Sequence, residues 1–357
     1  MTDPGFPIRP DELDAATLDT MLRQAGVLGD GRVVAATWEL IGTGKMGDNA
    51  RHTLTLEGAP DDAPHTVVAK YPALDPATRQ RAAGGGIYRK ELLFYRNLAH
   101  HTSMRTPAIH ATELDETGAA MLLVMEDLAP AEPGSQFVGE SHDHALLVIE
   151  QAARLAASFL GDPQLTPADW IMSPQKPDTA EFVQALLVDA WPNFVERFGG
   201  ELTDEQLAFG HRYIAHHQDF ACRDTGARTL NHGDLRSENI LFTDDEAITV
   251  DWQTIQEGDP LTDVAYFLGG SCTVDDRRSW ERELVEDFRG RLAGHGVDLT
   301  ADDAWARYRA AAMHGIMITV LGATYSTADE RSDAMFLTMI QRHLQHCIDL
   351  DAGEFLP

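Results

Sequence analysis

The run His232-Gly233-Asp234-Leu235-Arg236-Ser237-Glu238-Asn239 leads directly into the apolar Ile240-Leu241-Phe242, and Val250-Asp251-Trp252-Gln253 follows a few residues later. Ile240 to Phe242 and Ala247 to Val250 have strand character, and Thr243-Asp244-Asp245-Glu246 between them has the composition of a turn. The pattern predicts a hairpin. Asn239 and Asp251 stand at its two open ends, at nearly equal distance from the turn, so antiparallel pairing sets an amide oxygen beside a carboxylate. Such a pair suits Mg²⁺, which takes hard oxygen ligands, draws one or two from protein and completes its octahedron with water and phosphate oxygens. Asp234 falls just before Asn239, where a carboxylate can accept the proton of an attacking hydroxyl. Asp or Asn alone is explained by turn formation; the combination, in this order, points to phosphoryl transfer.

His-Gly-Asp-Leu-x-x-x-Asn, an apolar strand and then Asp resembles the catalytic and metal segments of the aminoglycoside phosphotransferase and choline kinase superfamily. Protein kinases share the layout, with H-R-D-L-x-x-x-N and a metal-binding Asp that opens D-F-G where this chain has Asp251-Trp252-Gln253. Within the superfamily, Asp-Trp-Gln and the stretch Gly258-Asp259-Pro260-Leu261-Thr262-Asp263-Val264-Ala265-Tyr266-Phe267-Leu268 are most similar to the ecdysteroid-kinase-like branch and its bacterial relatives. The resemblance implies an α+β, protein-kinase-like fold of two lobes, a small antiparallel-sheet N-terminal lobe and a larger, mainly helical C-terminal lobe. It also implies ATP as phosphodonor and a small hydroxylated acceptor. Asp263 would brace the catalytic loop, and His232 would be structural.

A lobe of this kind needs a nucleotide cradle, a phosphate-binding lysine and an acidic partner for it. Thr37 to Ile41 reads as a strand, and Gly42-Thr43-Gly44-Lys45-Met46-Gly47 gives G-x-G-x-x-G, in which Gly42, Gly44 and Gly47 let backbone amides approach phosphate oxygens. The motif by itself equally opens a dinucleotide-binding fold, but that requires a helix next. The alternating run Arg51 to Gly58 reads as a strand instead.

His65 to Lys70 is a third strand, ending in one of only four lysines against 24 arginines. An ammonium there suits nucleotide phosphates as a point charge. Tyr88 to Leu98 carries Leu92, Tyr95 and Leu98 on a helical stripe, and Glu91, which matches the family's glutamate before Phe-Tyr, is the expected partner of Lys70. Ala119 to Leu128 reads as a buried strand. It resembles the strand that becomes the interlobe hinge, where Glu126 and Leu128 would offer main-chain groups to an adenine edge.

The breaker-rich Ala129-Pro130-Ala131-Glu132-Pro133-Gly134 divides the chain into a nucleotide-binding lobe, 1–128, and a helical lobe, 129–357. Helical periodicity covers Asp11 to Ala25, with Gly26 as cap, and then Asp143 to Leu160, Thr179 to Phe198, Thr203 to Phe220, Ser279 to Ala293, Ala301 to Leu321 and Ser332 to Leu350. Among these the later helices contain no internal proline except Pro192.

Acidic residues number 57 against 28 basic ones, for a net charge of −29, a field that repels nucleic acid and anionic membranes. Residues 1 to 128 hold 18 acids and 12 bases, and residues 129 to 357 hold 39 and 16. No segment is long and apolar enough to span a bilayer, and Met1 to Pro10 lacks a basic start and an apolar signal region, so a cytoplasmic enzyme is expected. Cys222, Cys272 and Cys347 are distant and odd in number, which argues against a disulfide framework.

The expected chemistry has Mg²⁺ on Asn239 and Asp251, ATP phosphates fixed by Lys70 with Glu91, and Asp234 as base. Arg236, two residues after Asp234, would stabilise charge in the transition state. Within this reading an antibiotic-resistance kinase acting on aminoglycosides or macrolides competes with a metabolic small-molecule kinase, and a non-catalytic nucleotide-binding regulator is a further alternative. The acceptor, the choice of ATP over GTP and the oligomeric state are not encoded legibly.

Overall fold

The computed structural model describes residues 4–42, 46–163, 165, 168–226, 228–326 and 329–357. The chain forms two units: Met1–His100 with Thr106–Pro130 and Asp251–Gln253, and His101–Arg105 with Ala131–Val250 and Thr254–Pro357.

In the first unit, β1 (Arg32–Ile41), β2 (Gly47–Glu57), β3 (Thr66–Pro72), β4 (Ile109–Leu114) and β5 (Met121–Glu126) make one antiparallel sheet in the order β1-β2-β3-β5-β4. Its inner face carries Leu54, Val67, Ala69, Leu122 and Val124, covered by Leu18, Met21 and Leu22 of helix α1 (Ala15–Gln24). Leu18 and Leu22 have no exposed surface; each contributes about 1.5–3 kcal/mol relative to an exposed position. The helical run expected from Asp11 is split at Asp14, whose carboxylate accepts from the Thr17 amide (2.8 Å) and starts a new helix after a 3-10 turn at Pro10–Glu12. Gly26, at φ +76°, ends α1 in the left-handed conformation.

Two elements of this unit had gone unread. Helix α2 (Pro76–Gly84) begins with a cap visible in the sequence, Asp75 accepting from Thr78 N (2.8 Å) with Pro76 in the first turn. Edge strand β4 lacks an alternating pattern because its residues are neither cleanly buried nor exposed. Helix α3 (Ile87–Asn97) buries Tyr88, Glu91, Leu92, Phe94 and Tyr95.

The second unit is mainly helical: α4 (His142–Phe159), α5 (Pro177–Phe198), α6 (Asp204–Ala221), α7 (Thr262–Ser271), α8 (Val274–Gly294), α9 (Ala301–Ala311), α10 (His314–Tyr325) and α11 (Glu330–Asp349). Short strands β6 (Glu132–Pro133), β8 (Ile240–Phe242) and β9 (Ala247–Thr249) pair in the order β6-β8-β9, and β7 (Thr229–Asn231) pairs with β10 (Gln256–Gly258). The predicted hairpin is therefore present, with Ile240 opposite Thr249 and Phe242 opposite Ala247. The single helix expected over Ala301 to Leu321 is two helices, broken at Ala312-Met313. Apolar periodicity runs across the break, where Gly315 follows in the first turn of α10, and His314 opens that helix with its ring on the Gly233 carbonyl (2.9 Å). Among the described residues no helix is long and apolar enough to cross a membrane.

Candidate functional site

Three candidate side chains converge in the first unit. Lys70 occupies β3 between Asn49 of β2 and Leu123 of β5, which fixes the direction of its side chain. Its Nζ donates to both Glu91 carboxylate oxygens (2.9 and 2.8 Å) and to Asp251 Oδ1 (3.2 Å). Gln253 Nε2 donates to Glu91 Oε2 at 3.1 Å, and the fully buried Trp252 ring stacks on Phe94 with centroids 3.6 Å apart. Burial opposes the Lys70 charge, but Asp251 and Glu91 together outweigh it, and the ammonium is held well above its ordinary range. Asp251 takes part with its side chain 41% exposed, whereas Glu91 is buried.

The glycine loop divides. Gly42 closes β1 at φ +70° with open space where a Cβ would stand, and Gly44 lies outside the described residues. Gly47 is in β2, where a Cβ would strike the Tyr71 carbonyl oxygen, so the sheet itself requires this glycine. Tyr88, which sequence reasoning had not singled out, ties this end together: its hydroxyl donates to Met46 O (2.6 Å) and accepts from Ala73 N (3.0 Å). Glu126 ends β5, where its amide donates to Ala108 O (2.8 Å) and its carboxylate accepts from Ala108 N (2.9 Å). Leu128 follows two residues on, past Asp127, which Arg51 holds through Nε at 2.6 Å.

In the second unit β7 delivers the chain into the loop that begins at His232. Asp263, in the first turn of α7, accepts from the backbone amides of His232 (2.8 Å) and Gly233 (3.0 Å). The loop is thus clamped by one carboxylate, as the superfamily likeness implied. Gly233 has φ +84°, and a Cβ there would collide with Thr254 O. His232 accepts from Asp234 N through Nδ1 (3.3 Å), while its Nε2 meets Val250 O (3.0 Å). A carbonyl can only accept, so Nε2 carries the proton and the ring is a structural brace.

Asp234 is surrounded by donors. Tyr266 OH donates to Oδ1 (2.6 Å); Asn239 Nδ2 (2.9 Å) and Arg236 Nε (3.3 Å) donate to Oδ2. Arg236 also reaches Glu238 Oε2 (2.6 Å). Burial opposes its charge, but Asp234 and the neighbouring Tyr266 and Glu238 hold the guanidinium firmly protonated. Asn239 Nδ2 donates to the Asp234 backbone oxygen as well (2.9 Å), so the nitrogen end of the amide is committed and its oxygen is the end left for a hard cation. The Asn239 amide oxygen, like a carboxylate oxygen of Asp251, is a donor of the hard type that Mg²⁺ takes. Among the described residues no group of three or more His, Cys, Asp or Glu side chains could hold a metal ion.

Lys70, Glu91 and Asp251 come together in the first unit, and Asp234, Arg236 and Asn239 in the second. Tyr266, inside a stretch whose resemblance was noted, had no role assigned; only the packing of α7 brings its hydroxyl to Asp234.

Residues 66–311 match the sequence model of a phosphotransferase enzyme family. Among solved structures the chain is similar to choline kinase from Cryptosporidium parvum Iowa II, at 11% identity and a TM-score of 0.57 over 90% of this chain and 92% of that one. It is also similar to wild-type aminoglycoside 2'-phosphotransferase-IIIa, solved as its GDP complex, at 16% identity and a TM-score of 0.53 over 93% of this chain and 98% of that one. No curated protein matches the chain. At these identities the likeness is one of fold: an α+β, kinase-like arrangement with an antiparallel-sheet N-terminal region and a helical C-terminal region.

Proposed function

The chain belongs to the phosphotransferase enzyme family, and from that premise we propose that it transfers the γ-phosphoryl group of ATP to a hydroxyl of a small molecule. The observation that carries the reading is the buried Lys70 ammonium shared between Glu91 and Asp251. A salt bridge built for stability needs one carboxylate; the second belongs to an Asp whose side chain is 41% exposed, a hard oxygen donor of the kind a divalent cation takes. Magnesium held by Asn239 and Asp251 would neutralise charge on the transferring phosphates.

The chain's own residues do the rest. Glu91 aims Lys70, whose ammonium binds nucleotide phosphate oxygens. Backbone amides of the glycine-rich segment Gly42, Gly44 and Gly47 would take the phosphates, and the Glu126 and Leu128 main chain would receive the base. Asp234 orients the acceptor hydroxyl and takes its proton as the acceptor oxygen bonds to the γ-phosphorus and the bond to the β-phosphate oxygen breaks, releasing ADP. Arg236 stabilises charge that develops in that step. The net charge of −29 supports a small acceptor rather than nucleic acid.

The test is magnesium-dependent nucleotide turnover by wild-type and D251N protein against aminoglycosides, macrolides, amino alcohols, sugars, sterols and hydroxyacyl thioesters. Acceptor-dependent ADP formation that disappears in D251N supports the proposal and names the acceptor class. Failure of MgATP or MgGTP to bind at all overturns it.

A further inference from the structure

Asp234 holds its carboxylate among three donors, and they differ in what fixes them. Arg236 is on the loop and divides its guanidinium between Asp234 and Glu238. Asn239 is on the loop too and divides its amide nitrogen between the side chain and the backbone oxygen of Asp234. Tyr266 alone comes from a helix interior: it is 1% exposed, and every residue of α7 from Thr262 to Ser271 is buried.

The Tyr266 ring is itself held on two sides. His343 of α11 stacks on it with centroids 5.1 Å apart and planes 6° from parallel, and His314 of α10 meets it edge-on at 5.4 Å. His343 is fully buried and neither ring nitrogen has a hydrogen-bond partner among the described residues. It is placed by shape. A Cβ on Gly270 would come within 2.7 Å of its Nε2, and one on Gly315 would overlap the ring. Two helices therefore forgo side chains to seat an imidazole against Tyr266. His314 Nε2 meanwhile bonds the Gly233 carbonyl, so the same packing grips the loop directly beside Asp234.

We propose that Tyr266 is a positioning residue for the reaction: its phenol fixes the rotation of the Asp234 carboxylate about its last side-chain bond, leaving one oxygen oriented toward the acceptor hydroxyl. The inference rests on the reading of Asp234 as the catalytic base. A carboxylate free to rotate spends time with its lone pairs misdirected. A donor on a rigid element removes that freedom before substrate arrives, and loss of such preorganisation through a displacement on the order of 1 Å costs up to about 10²-fold in rate.

The experiment compares wild type, Y266F, D234N and a protein with p-aminophenylalanine at position 266, each assayed for MgATP turnover with water and with whichever hydroxylated acceptor the panel yields. Phenylalanine keeps the stacked ring and removes the donor; the amino analogue restores one at the same place. Expected for Y266F is a fall in kcat of about 10- to 100-fold, with KM for ATP within twofold of wild type and recovery in the amino analogue. A packing role alone would leave kcat intact in Y266F and would not distinguish the two ring variants. An inactive D234N beside a Y266F that turns over like wild type overturns the role of Tyr266 and spares that of Asp234. A D234N protein as active as wild type, or a wild type with no turnover, removes the base and this proposal with it.

Discussion

Replacing Gln253 by glutamate, an exchange of one amide for one oxygen, tests whether the residue after Trp252 holds the Lys70 and Glu91 pair in place. The Gln253 amide donates to Glu91 Oε2 at 3.1 Å inside a buried cluster. Gln253→Ala removes one hydrogen bond to a charged acceptor, a loss of about 1.5–3 kcal/mol. Gln253→Glu sets a second carboxylate against the first. At an effective dielectric constant of about 20, like charges some 4 Å apart repel by about 4 kcal/mol. Lys70, bonded to both Glu91 oxygens, offsets about half of this, which caps the penalty at about 2 kcal/mol.

That cap fixes a pH signature. A penalty of about 2 kcal/mol corresponds to a folded-state pKa raised by about 1.5 units, from about 4.3 to about 6. A carboxyl group whose folded pKa is raised stabilises the fold less as pH climbs from the unfolded value through the folded one. Gln253→Glu should therefore approach wild-type stability at pH 4.5, where a shared proton replaces the amide hydrogen. Its penalty should be fully developed above pH 6.5, while the Gln253→Ala penalty stays level. Melting temperatures of the three proteins between pH 4.5 and 8, with MgATP affinity at the upper end, measure this. If the alanine and glutamate variants lose stability in parallel at every pH, Gln253 does not hold Glu91.

Gly233→Ala combines a left-handed backbone angle with a Cβ directed at Thr254 O; it should cost about 2–4 kcal/mol in chemical denaturation and lower turnover by more than tenfold, since the loop it distorts carries Asp234. Burial presses the His52 and His217 rings down to about 4. A base with a depressed folded pKa leaves the folded state binding fewer protons, so stability falls as pH drops below about 6.5. Each ring should cost about 1.4 kcal/mol by pH 5.5; His52→Gln and His217→Gln should each flatten the fall in melting temperature between pH 7.5 and 5, and an unchanged slope would refute the assignment.

Local chemistry made much of the chain legible. The hairpin from Ile240 to Thr249 follows from two apolar runs and a polar turn, and α1 follows from a stripe that Asp14 caps and Gly26 ends. The Lys70 and Glu91 pair was reachable because a strand-end lysine in a lysine-poor chain is conspicuous, and α3 repeats at the helical period. Helix α2 was within reach too, since Asp75, Pro76 and Thr78 spell a helix start. The break between α9 and α10 was not, because Ala312 and Met313 keep helical backbone angles while the contact of His314 with Gly233 joins segments far apart in sequence.

Sequence therefore determined the sheet-then-helices division, the hairpin after Asn239 and the candidates Asp234, Asn239, Asp251, Lys70 and Glu91, because hydrogen-bonding type and periodicity act over a few residues. Tertiary structure decided what surrounds them: Gln253 on Glu91, Tyr88 on the end of the glycine loop, and Tyr266 on Asp234 with two histidines around its ring. These contacts join segments far apart in sequence, and their direction is set by how helices and strands pack. No local pattern carries that information.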